Sequence, residues 1–193
     1  MKGEDYFAHE TAVIDEGCQI GKGTRIWHFC HVMPSSVIGE NCNLGQNVFV
    51  SSNVILGNNV KIQNNVSIYT GVICKDDVFL GPSMVFTNIL NPRSAVIRRE
   101  QYVKTFVGRG ASIGANATII CGNSLGEFCF IGAGAIVTRD VPAYALVVGN
   151  PGRQVGWMSE YGRKLKFKLG RAVCPESGEE YELIQGSVNK LKL

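Results

Sequence analysis

Charge is scarce in this chain of 193 residues: charged side chains make up 18 %, and 19 Lys+Arg against 16 Asp+Glu leave a formal charge of +3. So small and scattered an excess argues against a nucleic-acid-binding protein. Long apolar runs are also missing. None approaches the roughly 20 residues that a membrane span needs, so no span is expected. The opening Met1-Lys2-Gly3-Glu4-Asp5 is polar with no apolar segment behind it, and no signal peptide is read there. The 7 cysteines include no Cys-x-x-Cys and no Cys–His group of zinc spacing, which argues against a metal site. An odd set of cysteines without a secretory signal points to reduced thiols and a cytoplasmic location. Disorder is excluded by 45 % hydrophobic residues at low net charge. The length suits one domain with a sizeable core and at most a small appendage. What is plentiful is glycine, with 23 residues, well above the usual ~7 %.

Every sixth residue from Ile14 to Phe86, and again from Val107 to Ala143, is apolar; eighteen of these twenty are Ile, Leu, Val or Phe. Four places after most of them comes a small or β-branched residue, the slot of Val48, Val54, Val60, Cys18, Cys30, Cys42 and Cys129. Directly after the large residue, nine of the twenty positions are glycine, among them Gly39, Gly57 and Gly132. A period of six fits neither a helix at 3.6 nor a plain alternating strand. It suits a short strand and a tight corner, repeated, with the large residue inward. Glycine there would relieve backbone crowding or permit positive φ. Such units bury their apolar faces only by stacking.

The pattern [Ile/Leu/Val]-Gly-x-x-[small]-x resembles the left-handed parallel β-helix of hexapeptide-repeat acyltransferases. The left hand comes from that resemblance, since crossovers are ordinarily right-handed. The resemblance implies an all-β prism of triangular coils, three hexads or 18 residues each. On this basis residues 1–150 form the β-helix and 151–193 a capping extension of short helix and strand. Trp157, Met158 and Tyr161 suggest the helix, and Lys164 to Leu169 alternates like a strand. Fifteen residues too many separate Phe86 from Val107, so a loop at about 87–106 leaves the prism, and loops this long are usually functional or disordered. Val37, Ile55 and Ile73, 18 apart, should form an exposed apolar stripe covered by another subunit or by the tail. His28, Gln46, Asn64 and Pro82 should form an amide-rich column beside the loop. Gln63, Asn64 and Asn65 could serve a polar ligand or merely the corners, where asparagine tolerates left-handed conformations. The basic stretch Arg163 to Arg171 could meet phosphate or be a solvated face.

A further set of motifs narrows the resemblance. Ile26-Trp27-His28-Phe29, Lys61-Ile62-Gln63-Asn64-Asn65, Gly81-Pro82-Ser83-Met84-Val85-Phe86-Thr87-Asn88, Asn91-Pro92-Arg93 and Val148-Gly149-Asn150-Pro151-Gly152-Arg153 are similar to those of nucleotide-sugar 3-amino N-acetyltransferases. Within that group they most resemble enzymes acting on UDP-2-acetamido-3-amino-2,3-dideoxy-D-glucuronate, a step toward diacetamido uronic acids of bacterial surface polysaccharide. Enzymes of dTDP-linked 3-amino-6-deoxyhexoses are close relatives and give the alternative substrate. The resemblance implies acetyl-CoA as co-substrate, a homotrimer with inter-subunit active sites, and direct attack by the sugar amine. Asn88 would hold that amine. His28, His31, Gln63, Asn65, Tyr69, Ser83, Phe86 and Arg93 would line the sugar-nucleotide site. Arg93 is the candidate for a carboxylate or diphosphate, which its planar fork suits. Acetyl-CoA would lie along the later coils at Ala115, Gly132 and Ala133, with Arg139 and Arg153 on its phosphates. Gly152 departs from the alanine usual in this group.

Other readings remain possible on this fold type, which alone does not give a function. His28 or His31 as general base is the rival mechanism. A zinc carbonic anhydrase needs three histidine ligands; only His9, His28 and His31 exist, without that family's paired spacing, and no metal is expected. A non-enzymatic assembly protein would have no need of the arginine-bearing loop.

Overall fold

The computed structural model describes residues 5 to 191; the polar opening Met1 to Glu4 lies outside them. Two-residue strands stack into three parallel sheets that form the faces of a prism. One contains seven strands from Val13–Ile14 to Ile136–Val137, and another six from Gln19–Ile20 to Ser124–Leu125. The third begins at Phe7–Ala8 and reaches ten strands because the extension adds to it. Registers step by 18 residues, as in Arg25↔Asn43 and Val37↔Ile55, and each coil rises ~4.8 Å above the last. The hexad's large residues point inward: Ile26, Leu44, Ile62 and Leu80 are fully buried. Six of the seven cysteines are buried, and all seven are free. Burial pushes the Cys74 and Cys129 thiols up to about 12, which keeps them protonated core residues.

The glycine slot has a steric cause. A Cβ on Gly39 would lie 2.5 Å from the Gly57 carbonyl oxygen of the next coil. The positive-φ position falls two residues later, at Asn41, Asn47, Asn59 and Asn65 (φ 54 to 60). Close approach between coils therefore explains the glycines, and asparagine supplies the left-handed corners. The corner amides also cap backbone: Asn64 Oδ1 accepts from Gln46 N at 2.9 Å, and Asn58 Oδ1 from Glu40 N at 2.8 Å.

Two register features differ from the plain period. Cys74 pairs with Val107, so fifteen residues are inserted as expected, but the returning strand begins earlier, at Thr105. The loop is thus 87–104, not 87–106. After Val137 the period shortens. Val141, not Ala143, pairs with Leu125 and is buried, while Ala143 enters the corner beside Gly126.

The extension contains no helix among the described residues. Trp157 and Met158 lie on the strand Arg153–Met158, antiparallel to Ala145–Val148, and Tyr161 lies in the turn that follows. Their spacing suits either element, and the exposed sheet edge selects a strand. Lys164–Leu165 then pairs with Trp157 and Met158. The strands Arg171–Val173, Glu180–Ile184 and Ser187–Lys190 complete a small sheet with its own core around Cys174 and Tyr181. Polar side chains fasten it to the prism. Tyr144 Oη donates to Glu160 at 3.0 Å, Lys190 Nζ bonds both Glu160 and Glu179, and Tyr181 Oη donates to Glu179 at 2.9 Å.

The stripe of Val37, Ile55 and Ile73 continues through Phe106, which registers with Ile73. Ile55 remains 44 % and Phe106 46 % exposed. The tail does not cover them.

Candidate active site

The loop leaves and returns at one prism corner. Thr87 Oγ1 accepts from Cys121 N at 2.9 Å, tying the loop's start to the coil above. Across the neck, Val103 N donates to Asn88 O at 2.9 Å. Asn88 is half-buried, and no side-chain hydrogen bond engages its amide among the described residues. Further out, Arg93 pairs with Val96 in a narrow turn, and a short 3-10 helix spans Arg99–Gln101. Arg93 is exposed, its Nη1 bonded to the adjacent Pro92 carbonyl at 3.2 Å. A shallow cavity of about 270 Å³ opens between Arg93, Arg98 and Tyr102.

The ladder carries this corner upward. Val85 registers with Thr118 and Thr118 with Ile136, so the strand that leads to Asn88 lies directly below those that lead to Cys121 and Arg139. Two coils, about 10 Å, separate Asn88 from Arg139. At the upper end Arg139 and Arg153 line a cavity of about 210 Å³ with Asp140 and Gln154. Gly152 borders it and is buried; a Cβ there would lie 2.8 Å from the Ile136 oxygen. Glycine at 152 therefore fits the close approach to the Ile136 carbonyl.

A second corner carries the remaining polar positions. His28, Gln46, Asn64, Pro82, Ala115 and Ala133 form one column, with Gly132 beside Ala133. The structure thus joins the predicted acceptor and cofactor residues His28, Gln63, Ala115, Gly132 and Ala133 along one edge. Its lower end holds a groove of about 290 Å³ lined by Trp27, His28, Gln46 and Gln63. Asn65 and Ser83 occupy left-handed positions (φ 60 and 57), and Asn65 Oδ1 accepts from Asn47 Nδ2 at 3.1 Å. Their placement follows from corner geometry.

The face between these corners carries aromatic residues. His31 Nε2 lies 3.1 Å from Asp15 Oδ2, and its ring meets Phe49 edge-on at 5.8 Å. Phe49 meets Tyr69 in turn at 6.1 Å. His28 instead stacks on His9 at 3.6 Å, so the three histidines do not converge. Among the described residues, no group of three or more His, Cys, Asp or Glu has metal-holding geometry. Phe86 does not belong to the site. It takes the large inward slot of its hexad and is 1 % exposed. Sequence reasoning missed Asp15, Asp140 and Gln154. It also missed the shared corner of Asn88 and Arg139, which follows once the fifteen inserted residues are subtracted from their separation.

Stacked coils with an extruded loop and an arginine-lined upper end define a hexapeptide-repeat transferase. The chain matches the bacterial transferase hexapeptide model (six repeats) over residues 17–52, and the hexapeptide repeat of succinyl-transferase over 37–70 and 104–139. It is 45 % identical over 188 residues to dTDP-3-amino-3,6-dideoxy-alpha-D-galactopyranose 3-N-acetyltransferase of Aneurinibacillus thermoaerophilus, covering 97 % of this chain and 96 % of that one. The protein therefore belongs to the bacterial hexapeptide transferase family. A hexapeptide transferase family protein from Anaplasma phagocytophilum shares the fold at 17 % identity and a TM-score of 0.55, over 81 % of this chain and 86 % of that one. The acetyltransferase domain of PglB from Neisseria gonorrhoeae, solved with acetyl coenzyme A, gives 18 % and 0.51, over 77 % and 56 %.

Proposed function

We propose that this protein is an N-acetyltransferase that moves the acetyl group of acetyl-CoA to the 3-amino group of a nucleotide-linked amino sugar. The observation that carries this reading is the single corner joining Asn88 at the loop root to the arginine-lined cavity of Arg139 and Arg153 two coils above. A near full-length match to an enzyme named for the same chemistry supports it.

In this reading Arg139 and Arg153 meet the CoA phosphates, and Ala115, Gly132 and Ala133 offer pantetheine a path of low steric bulk. The Asn88 amide accepts a hydrogen bond from the sugar amine and aims its lone pair at the thioester carbonyl carbon. Attack forms the new C–N bond and places negative charge on the carbonyl oxygen. Collapse of that intermediate breaks the C–S bond, and the departing thiolate takes the proton lost by nitrogen. Position supplies most of the rate, because attack becomes effectively unimolecular. A histidine base is disfavoured by height. His31 registers with Phe49, Phe49 with Ser67, and Ser67 with Val85, three coils or about 14 Å below the coil that carries Asn88. A base must reach its proton directly or through one water.

The bare stripe of Val37, Ile55, Ile73 and Phe106 supports a homotrimer with active sites between subunits. The identity of the relative favours a dTDP-linked 3-amino-3,6-dideoxyhexose as acceptor. The local motifs favour a UDP-linked 3-amino uronate, whose carboxylate would take the exposed guanidinium of Arg93. Either product belongs to bacterial surface polysaccharide synthesis, fed from cytoplasmic acetyl-CoA. Thiol release measured with both aminosugar nucleotides decides: turnover with one names the acceptor, and no turnover with either, alongside no binding of CoA, overturns the enzymatic reading.

A further inference from the structure

The extension holds a residue whose conformation opposes its side chain. Lys168 N donates to Arg171 O at 2.8 Å and Arg171 N to Lys168 O at 3.0 Å, closing a two-residue hairpin turn. Its central residues are Leu169 at φ +48 and Gly170 at φ +77. Such a turn requires positive φ at both places and strongly prefers Asn, Asp or Gly at the first. The hairpin that joins Glu180–Ile184 to Ser187–Lys190 has left-handed residues at the same two places, Gln185 and Gly186 (φ +48 and +78), with a polar residue first. At position 169 stands a leucine that is fully exposed and packs against nothing. Neither turn geometry nor burial explains that choice.

The surroundings are cationic. Lys166, Lys168 and Arg171 are exposed around the tip, with Lys164 behind them. Among the described residues, the ion pairs of the extension are Arg163–Glu176 and Lys190 with Glu160 and Glu179; none engages these four cations. The carboxylate nearest in register is Glu182, opposite Arg171. Phe167, beside the tip, packs against the extension's core and anchors the hairpin's base.

An exposed apolar tip ringed by unpaired cations fits one kind of surface. Anionic lipid headgroups attract the cations, and the boundary beneath them rewards burial of an apolar side chain. A nucleic acid would reward the cations alone and leave the leucine in water. We propose that the Lys166–Arg171 hairpin docks on an anionic lipid surface, with Leu169 entering the headgroup–acyl boundary. This surface is independent of the acetyl-transfer reading.

Co-sedimentation of the purified full chain with vesicles of phosphatidylglycerol and phosphatidylcholine in equal parts tests it. The protein is expected to pellet with these vesicles, to be released by salt, and to stay in solution with phosphatidylcholine alone. Leu169→Asn gives the turn a preferred residue, so its melting temperature should equal or exceed that of the parent while vesicle affinity falls about tenfold or more. Lys166→Gln and Lys168→Gln should each lower affinity about fivefold. Absence of binding to the anionic vesicles overturns the proposal. So does full binding by Leu169→Asn when the lysine variants are weakened, an outcome that reassigns the tip to a soluble polyanion.

Discussion

Asn88 and Arg139 share one corner of the prism, two coils apart on a ladder that runs from Val85 through Thr118 to Ile136. The strands that lead into the loop root and into the first cation of the upper cavity therefore belong to the same parallel ladder. The coil rise sets the height between the Val85 and Ile136 strands, and the bond from Val103 N to the Asn88 carbonyl closes the neck where the loop starts.

Asn88→Ala should lower kcat by about 10²-fold or more, the scale on which catalysis loses one pre-organised hydrogen-bonding group. The amide makes no hydrogen bond within the chain among the described residues, so the melting temperature should not move. Thiol release and thermal melting measured together separate the two effects. Unchanged turnover would remove Asn88 from the mechanism.

His28→Ala and His31→Ala should each keep kcat within about tenfold of the parent, because a positioned general base is worth about 10²–10⁴ and neither ring is within reach of the Asn88 corner. Loss on the larger scale in either variant would restore the histidine-base mechanism.

Arg139→Ala and Arg153→Ala should each raise KM for acetyl-CoA about tenfold or more with little change in kcat. A hydrogen bond to a charged group contributes ~1.5–3 kcal/mol, and contacts made equally in ground and transition states appear in KM alone. Initial rates over a range of acetyl-CoA concentration give the division.

How much of this was readable beforehand depends on whether the period of six reached the residue in question. Where it ran unbroken it placed Ile26, Leu44 and Ile62 inside, and it found the insertion before Val107. It also contained the answer for Phe86, whose hexad slot is inward although its motif suggested a substrate contact. Beyond Val137 the register slips by two residues at Val141, and no local signal marks the slip. In the extension the apolar residues at 157, 158 and 161 are too few to separate helix from strand. The edge offered by Ala145–Val148, a tertiary fact, decides. The turn leucine at 169 was hidden for the opposite reason: it breaks a local preference, and a sequence pattern does not reveal a residue selected against its own backbone.

Ile55→Glu and Phe106→Glu should dissociate the assembly. Each places a carboxylate on the apolar stripe, and desolvating an unpaired charge costs several kcal/mol. Sedimentation velocity should then show a monomer with an unchanged far-ultraviolet spectrum, and turnover should be lost if the site spans two subunits. A parent protein that sediments as a monomer would remove the inter-subunit site.

The acid response of the extension should reverse when Lys190 is removed. The Lys190 ammonium, more than the Tyr181 and Ser177 hydroxyls, holds the Glu179 carboxyl below its usual 4.5 against the opposing effect of burial. A carboxyl lowered in the folded state contributes stability that is fully present above its unfolded value and is lost as pH falls through the folded one. Hydrogen bonds to Glu179 and Glu160 raise Lys190 in turn, a contribution present below the usual 10.5 and lost only in strong alkali. The parent should therefore keep Trp157 fluorescence, a reporter at the junction of the two cores, steady from neutral pH to below 4.5. In Lys190→Met the Glu179 carboxylate faces Glu160 without its cation, so the extension should be weakest near neutrality and firm up as acid neutralises Glu179. Urea titrations of Trp157 fluorescence at pH 7 and pH 4 give the sign. The same direction of change in parent and variant would show that this knot does not hold the extension.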